Sequence, residues 1–175
     1  ARKIEATDAD IVYFDFYKEY PTKSKAKRER DYAVDAQREY VRNMYNHRSY
    51  ASVWNKCVRH SLYKEHKIYT PQYGYAEDCY LMSQLVGYSS SIVHLEEYLY
   101  HYRKGNPNAL TGQQRRKRKR EYALNFLDLY ERYKDVPTEE NPVAVIFDDM
   151  LIQAGWYSIF YRLDLFKQYP WLAAA

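Results

Sequence analysis

The apolar and polar positions of this chain fall into short blocks whose spacing predicts interleaved strands and helices. Ile11-Val12-Tyr13-Phe14-Asp15-Phe16 follows Asp10 as an apolar run rich in β-formers, which predicts a buried strand. Pro21 and the charged residues 23–30 predict a solvated loop or hairpin, and residues 35–46 a helix. Ser52 is placed to cap a second helix over residues 53–62, in which Trp54, Cys57 and Val58 share one face. Lys67-Ile68-Tyr69 predicts a short strand ending at Pro71, and Tyr73-Gly74-Tyr75 a turn. A third helix starts near Ala76 and carries Tyr80, Leu81, Leu85 and Val86. Residues 91–103 alternate enough for a strand, broken near Glu96-Glu97, and Gly105-Asn106-Pro107-Asn108 ends it as a loop. A long helix is expected over 113–133, a linker between Pro137 and Pro142, and two aromatic-rich helices over 143–172.

With 175 residues, the chain is long enough for one domain with a real core. At 46% hydrophobic and 29% charged residues it reads as globular. The 22 tyrosines are read mainly as packing residues, with sugar stacking as the alternative use of the same rings. A net charge of +4 does not imply nucleic acid. Cys57 and Cys79 have neither metal-ligand spacing nor a disulfide framework, so a reducing, cytoplasmic location is the default. No stretch approaches the ~18 apolar residues of a membrane span, and no secretory signal opens the chain. It opens without Met, in what reads as the tail of a helix, and closes on Ala173-Ala174-Ala175; a fragment is expected.

Glu77-Asp78 is the chemical feature that stands by itself. A carboxylate can take the proton of a hydroxyl as its oxygen attacks an electrophilic carbon. A carboxylate at a helix N-terminus is held rigidly, and the helix dipole keeps it ionised. The simpler use of such a pair is to favour the helix start.

Three segments, in order, resemble bacterial family 2 glycosyltransferases of the GT-A type. Val53-Trp54-Asn55-Lys56-Cys57-Val58-Arg59 is similar to the family's W-N-K-x-x-R helix. Tyr75-Ala76-Glu77-Asp78 is similar to its helix-opening E-D pair, and Tyr98-Leu99-Tyr100-His101-Tyr102-Arg103 to its L-Y-x-Y-R strand. Ala9-Asp10-Ile11-Val12 also matches the strand that follows the family's metal motif. The resemblance runs from about Asp10 to Thr111 and implies an α/β fold: the acceptor-side, C-terminal part of a GT-A sheet (residues 1–111) with a helical C-terminal extension (112–175).

The resemblance implies an inverting hexosyl or N-acetylhexosaminyl transferase in polysaccharide or cell-envelope biosynthesis. It would move sugar from a nucleoside diphosphate sugar to a glycan or lipid-linked acceptor. Asp78 takes the role of base and Glu77 supports it. Trp54, Asn55, Lys56, Arg59, His101 and Arg103 are candidate contacts to acceptor or diphosphate. Trp54 reads equally as core, Lys56 as a surface lysine, Arg59 as the partner of an acid, and His101 as structural. The family's divalent cation, Mn²⁺ or Mg²⁺, belongs to the intact enzyme. No metal motif is expected in this chain: Asp8-Ala9-Asp10 precedes its strand and reads as a turn, and Asp148-Asp149 has the wrong context. The family's nucleotide-receiving half is missing from the sequence, so the chain alone is expected to be inactive.

The six adjacent cations Arg115-Arg116-Lys117-Arg118-Lys119-Arg120 point all around a helix, so they read first as a solvated helix start. No nucleic-acid motif accompanies them. An anionic membrane surface is the further candidate, at about 1 kcal/mol per cation, reinforced by aromatic residues from Trp156 to Trp171 interleaved with Arg162 and Lys167, a segment that reads first as a cap on the domain core. The location then becomes peripheral on the inner face of the membrane. The alternative to an enzyme is a non-catalytic helical interaction or membrane-surface module.

Overall fold

A computed structural model describes residues 2–105 and 114–174 as a mixed α/β chain. Helix α1 (Arg2–Thr7) leads through a turn into β1 (Ile11–Tyr20), and β2 (Lys23–Lys27) returns as a hairpin. After α2 (Gln37–Tyr45) come β3 (Lys56–Val58), α3 (His60–Glu65), α4 (Glu77–Tyr88) and β4 (Ile92–Arg103). Helices α5 (Arg115–Tyr133), α6 (Phe147–Phe160) and α7 (Leu165–Gln168) complete it, with short 3-10 turns at Ala144–Ile146 and Pro170–Ala173. Of the loop expected at 105–108, only Gly105 lies among the described residues.

β1 is the centre of the sheet. β4 runs parallel along one edge, while β3 and then β2 run antiparallel along the other. Its first six residues are all buried, which is why they form a continuous apolar run instead of an alternating one. The parallel register slips between Phe14 and Phe16, where Glu96 and Glu97 bulge out of β4. The break expected there is thus a bulge within one strand.

The segment after β2 crosses the sheet. Glu29 N–H donates to Asp15 Oδ1 at 2.8 Å and Tyr32 N–H to the Tyr13 hydroxyl at 3.1 Å. Ile92 N–H then donates to Val34 O at 3.0 Å. The main core lies between the sheet and α2, α4 and α5, and holds Tyr13, Tyr40, Tyr45 and Tyr80 fully buried. Tyrosine therefore serves chiefly as a packing residue; the Tyr45 hydroxyl donates to Gln153 at 3.0 Å, while that of Tyr40 has no partner among the described residues. The core draws on both sides of residue 111: Tyr122, Phe126, Val143 and Met150 belong to it. A second cluster around Leu127, Leu163 and Leu165 joins α5, α6 and α7.

Two local expectations fail. Residues 53–62 are not one helix: the chain turns at 53–55, enters β3 and resumes as α3 only at His60. The extended path wins because Ile11, Val12 and Tyr13 offer backbone partners to Val58, Cys57 and Lys56. Residues 67–69 are not a strand either. The Gln84 side chain accepts from Tyr69 N–H at 2.9 Å and donates to Tyr69 O at 3.0 Å, standing in for a neighbouring strand.

Candidate functional site

A cleft of about 1020 Å³ opens where the 48–54 loop, the start of α4 and the end of β4 converge. Glu77 and Asp78, the first residues of α4, line it. Burial raises the Asp78 pKa above its ordinary 3.8, while the Val53 amide and the Lys56 charge pull it back. Burial likewise raises Glu77, aided by the charge of Asp78. The preceding Ala76 has φ 66°, a left-handed conformation that costs a non-glycine residue about 1–3 kcal/mol. His47, also on the cleft, has φ 58°. Cys79 lines the cleft as well, but burial pushes its thiol up to about 12, so it is no nucleophile.

Trp54 forms an aromatic wall. Its ring stacks on Tyr100 and Tyr102 with centroids 4.5 and 5.2 Å away, and meets Phe16 edge-on at 4.7 Å. Both tyrosines lie on one face of β4 because strand side chains alternate. Lys27, Arg28 and Arg48 give the cleft a cationic side. These three, with His47 and Tyr102, are cleft residues the sequence reading did not select. The charged run 23–30 carried a signal for two of them, but nothing local showed which cations would turn inward.

The other sequence candidates lie elsewhere. Lys56 is buried and does not line the cleft, and its ammonium donates to Tyr50 O and Ser52 O at 2.8 Å and to Asn55 Oδ1 at 2.9 Å. All three donors are used, so it shapes the 50–55 loop and does not present itself to a ligand. Burial lowers its pKa to about 8 despite the opposing charges of Glu29 and Asp78. Asn55 is completely buried, donating to Phe14 O at 3.2 Å and Glu29 Oε1 at 2.6 Å. Arg59 pairs with Asp8 at 2.6 Å and Asp10 at 3.1 Å at the start of the sheet. His101 pairs with Glu19 at 2.7 Å and stacks on Tyr17. Neither His101 nor the exposed Arg103 lines the cleft.

A divalent ion at Asp8-Ala9-Asp10 does not fit these residues. Asp10 accepts from Ser90 N–H at 2.7 Å through its other oxygen, and Arg59 holds both carboxylates. The segment is the turn expected from its position before the strand.

The basic run is not simply solvated. Arg116 donates to Tyr161 O at 3.0 Å and Arg162 O at 2.8 Å, satisfying carbonyls at the end of α6. Lys119 donates to the Tyr157 hydroxyl at 2.6 Å. No helix among the described residues is long and apolar enough to cross a membrane. Comparison with protein-family models, curated proteins and solved structures finds no match to this chain.

Proposed function

We propose that this chain is the acceptor-side portion of a GT-A-type inverting glycosyltransferase, and that Asp78 is its general base. The observation that carries the reading is the placement of Asp78: a carboxylate of raised pKa at a helix N-terminus, in a cleft with an aromatic wall on one side and cations on another. Aromatic faces suit the apolar faces of a sugar ring, and Arg28 and Arg48 suit a diphosphate. The strands required by the family pattern, at 11–16 and 92–102, are present and further support it.

In this mechanism Asp78 accepts the acceptor hydroxyl proton as that oxygen bonds to the anomeric carbon. The bond from that carbon to the diphosphate breaks on the opposite side, and the electron pair leaves with the nucleoside diphosphate. Glu77, its pKa raised by burial and by the neighbouring carboxylate, positions the acceptor. Trp54 and Tyr102 hold the sugar, while Asn55 and Lys56 fix the loop that carries Trp54. No step is routed through a metal, because the described Asp-x-Asp is occupied by Arg59 and Ser90.

The test is nucleoside diphosphate release by the longest native reading frame, with UDP-, GDP- and dTDP-sugars, Mn²⁺ and glycan or polyprenyl-phosphate acceptors. Asp78→Asn should lower release about 10²–10⁴-fold with donor binding intact. Release unchanged in the variant removes Asp78 from the role. No release from any donor favours a non-catalytic interaction module.

A peripheral membrane habit is the second element of the proposal. Ile152, Trp156, Ile159 and Phe160 are all more than half exposed on α6. Arg115 and Arg116 lie against Tyr161 and the end of that helix. Apolar side chains beside cations suit an anionic bilayer surface. Trp156→Ser with Phe160→Ser should abolish co-sedimentation with phosphatidylglycerol vesicles; no co-sedimentation of the wild-type protein rejects this element.

A further inference from the structure

We propose that Asp31, His94 and Glu96 form a binding site for a divalent transition-metal ion of the zinc class, independent of the glycosyl-transfer reading. The site lies where the segment that crosses the sheet meets β4; none of its three residues lines the cleft, although Arg28, the partner of Glu96, does. One ligand atom from each residue lies within 4.8 Å of the other two. His94 Nδ1 is 3.8 Å from Asp31 Oδ1.

The decisive feature is the histidine. Its side chain is only 2% exposed, yet Nδ1 has no hydrogen-bond partner. The other ring nitrogen explains why. Nε2 is 2.8 Å from Asp15 Oδ1, an oxygen that also accepts from Glu29 N–H. An ionised carboxylate can only accept, so Nε2 donates to Asp15, and in the neutral ring Nδ1 then carries the lone pair. Stacking on Tyr13, with centroids 4.9 Å apart and planes 8° apart, fixes the ring. Such a carboxylate–histidine pair orients a metal-ligating imidazole and raises its basicity. A buried lone pair with no donor would otherwise go unsatisfied.

The two carboxylates come from mobile-length side chains on independent backbone elements. His94 and Glu96 are two apart on β4, immediately before the register recovers past the bulge. Asp31 arrives from the crossing segment, anchored on either side by Glu29 and Tyr32. The Asp31 and Glu96 side chains are 67% and 61% exposed, so they can close to the about 2.0–2.2 Å that zinc requires without moving the backbone. Arg28 holds one Glu96 oxygen at 2.5 Å, an exposed pair that an ion of higher charge displaces or shares through the second oxygen. An imidazole with two carboxylates leaves further positions for water, the donor set of zinc and neighbouring ions more than of magnesium.

Zinc affinity of the full 175-residue chain would be measured by competition with a chromogenic chelator. One equivalent is expected to bind, and Asp31→Asn with Glu96→Gln should weaken it at least tenfold, since both side chains are exposed and the fold does not depend on them. Asp15→Asn should weaken it about 10–100-fold, with circular dichroism confirming the fold. The His94 imidazole ¹⁵N resonances should show Nδ1, and not Nε2, shifting on zinc addition. Zinc binding that is absent, or unchanged in the double variant and therefore due to Cys57 or exposed histidines, overturns the proposal. So does a doubly protonated His94 that bridges Asp15 and Asp31 and stays unmoved by zinc.

Discussion

Asn55 Nδ2 donates to Glu29 Oε1 across 2.6 Å, joining the loop beneath the cleft to the segment that crosses the sheet. Both side chains are buried, and Asn55 Oδ1 also accepts a hydrogen bond from the Lys56 ammonium at 2.9 Å. The result is a buried polar chain: His94, Asp15, the Glu29 backbone and carboxylate, Asn55, Lys56. Asp15, Glu29, Asn55 and Lys56 support one another through these bonds, while His94 Nδ1 is left without a partner at the far end. Asp78 sits at its cleft end through the charge of Lys56.

Activity should fall on acidification at a pH above that of an ordinary aspartate. A base works only when ionised, and burial places the Asp78 pKa above 3.8. Lys56→Met removes a charge that lowers this pKa, so the acid limb should move to still higher pH. A pH–rate profile of the two proteins checks both statements; an acid limb that does not move uncouples Lys56 from Asp78.

Lys56→Met should also cost about 3 kcal/mol in urea denaturation, because it leaves Glu29 as an uncompensated buried carboxylate and takes the ammonium donor from Tyr50 O, Ser52 O and Asn55 Oδ1, the last of which keeps the Ser52 hydroxyl. The pH dependence has a definite sign. The folded pKa of about 8 lies below the ordinary 10.5, so between these values the unfolded chain binds more protons. The lysine's contribution therefore rises as pH increases through that window and is lost as pH falls through about 8. The stability of wild type relative to Lys56→Met should grow with pH over this range.

Two glycines should respond oppositely to alanine. A Cβ at Gly87 would lie 2.2 Å from Pro142 O, so Gly87→Ala should destabilise by about 1–3 kcal/mol as α4 is pushed from the segment that follows α5. A Cβ at Gly155 meets nothing within 4 Å, so Gly155→Ala within α6 should stabilise by up to about 1 kcal/mol. Thermal denaturation of both variants reads the contrast.

Trp54→Ala should lose about 3 kcal/mol and open the cleft, since the indole packs on Phe16, Tyr100 and Tyr102. Trp54→Phe should recover part of the stability. Equal loss in both variants would show that stacking on the tyrosines requires the full indole.

The sequence by itself determined the elements whose signal is local. The apolar run at Ile11, the helical spacing through Tyr80 and Leu85, and the alternation ending at Arg103 all became the elements their periodicity implies. Glu77-Asp78 was legible as a helix start because acids favour the positive end of a helix. Tertiary structure decided the rest. Residues 56–58 became strand because β1 supplied an edge, and 67–69 did not because Gln84 met the Tyr69 backbone first. Lys56 and Asn55 read as ligand contacts from their chemistry, yet their donors are spent on partners that adjoin them only in three dimensions. His101 turned to Glu19 while His94, two residues before the bulge begins, became the buried histidine with a free ring nitrogen. Periodicity fixes which way a backbone runs, because it is a property of neighbours along the chain. Which polar atom is left without a partner depends on groups some tens of residues away, and only folding brings them together.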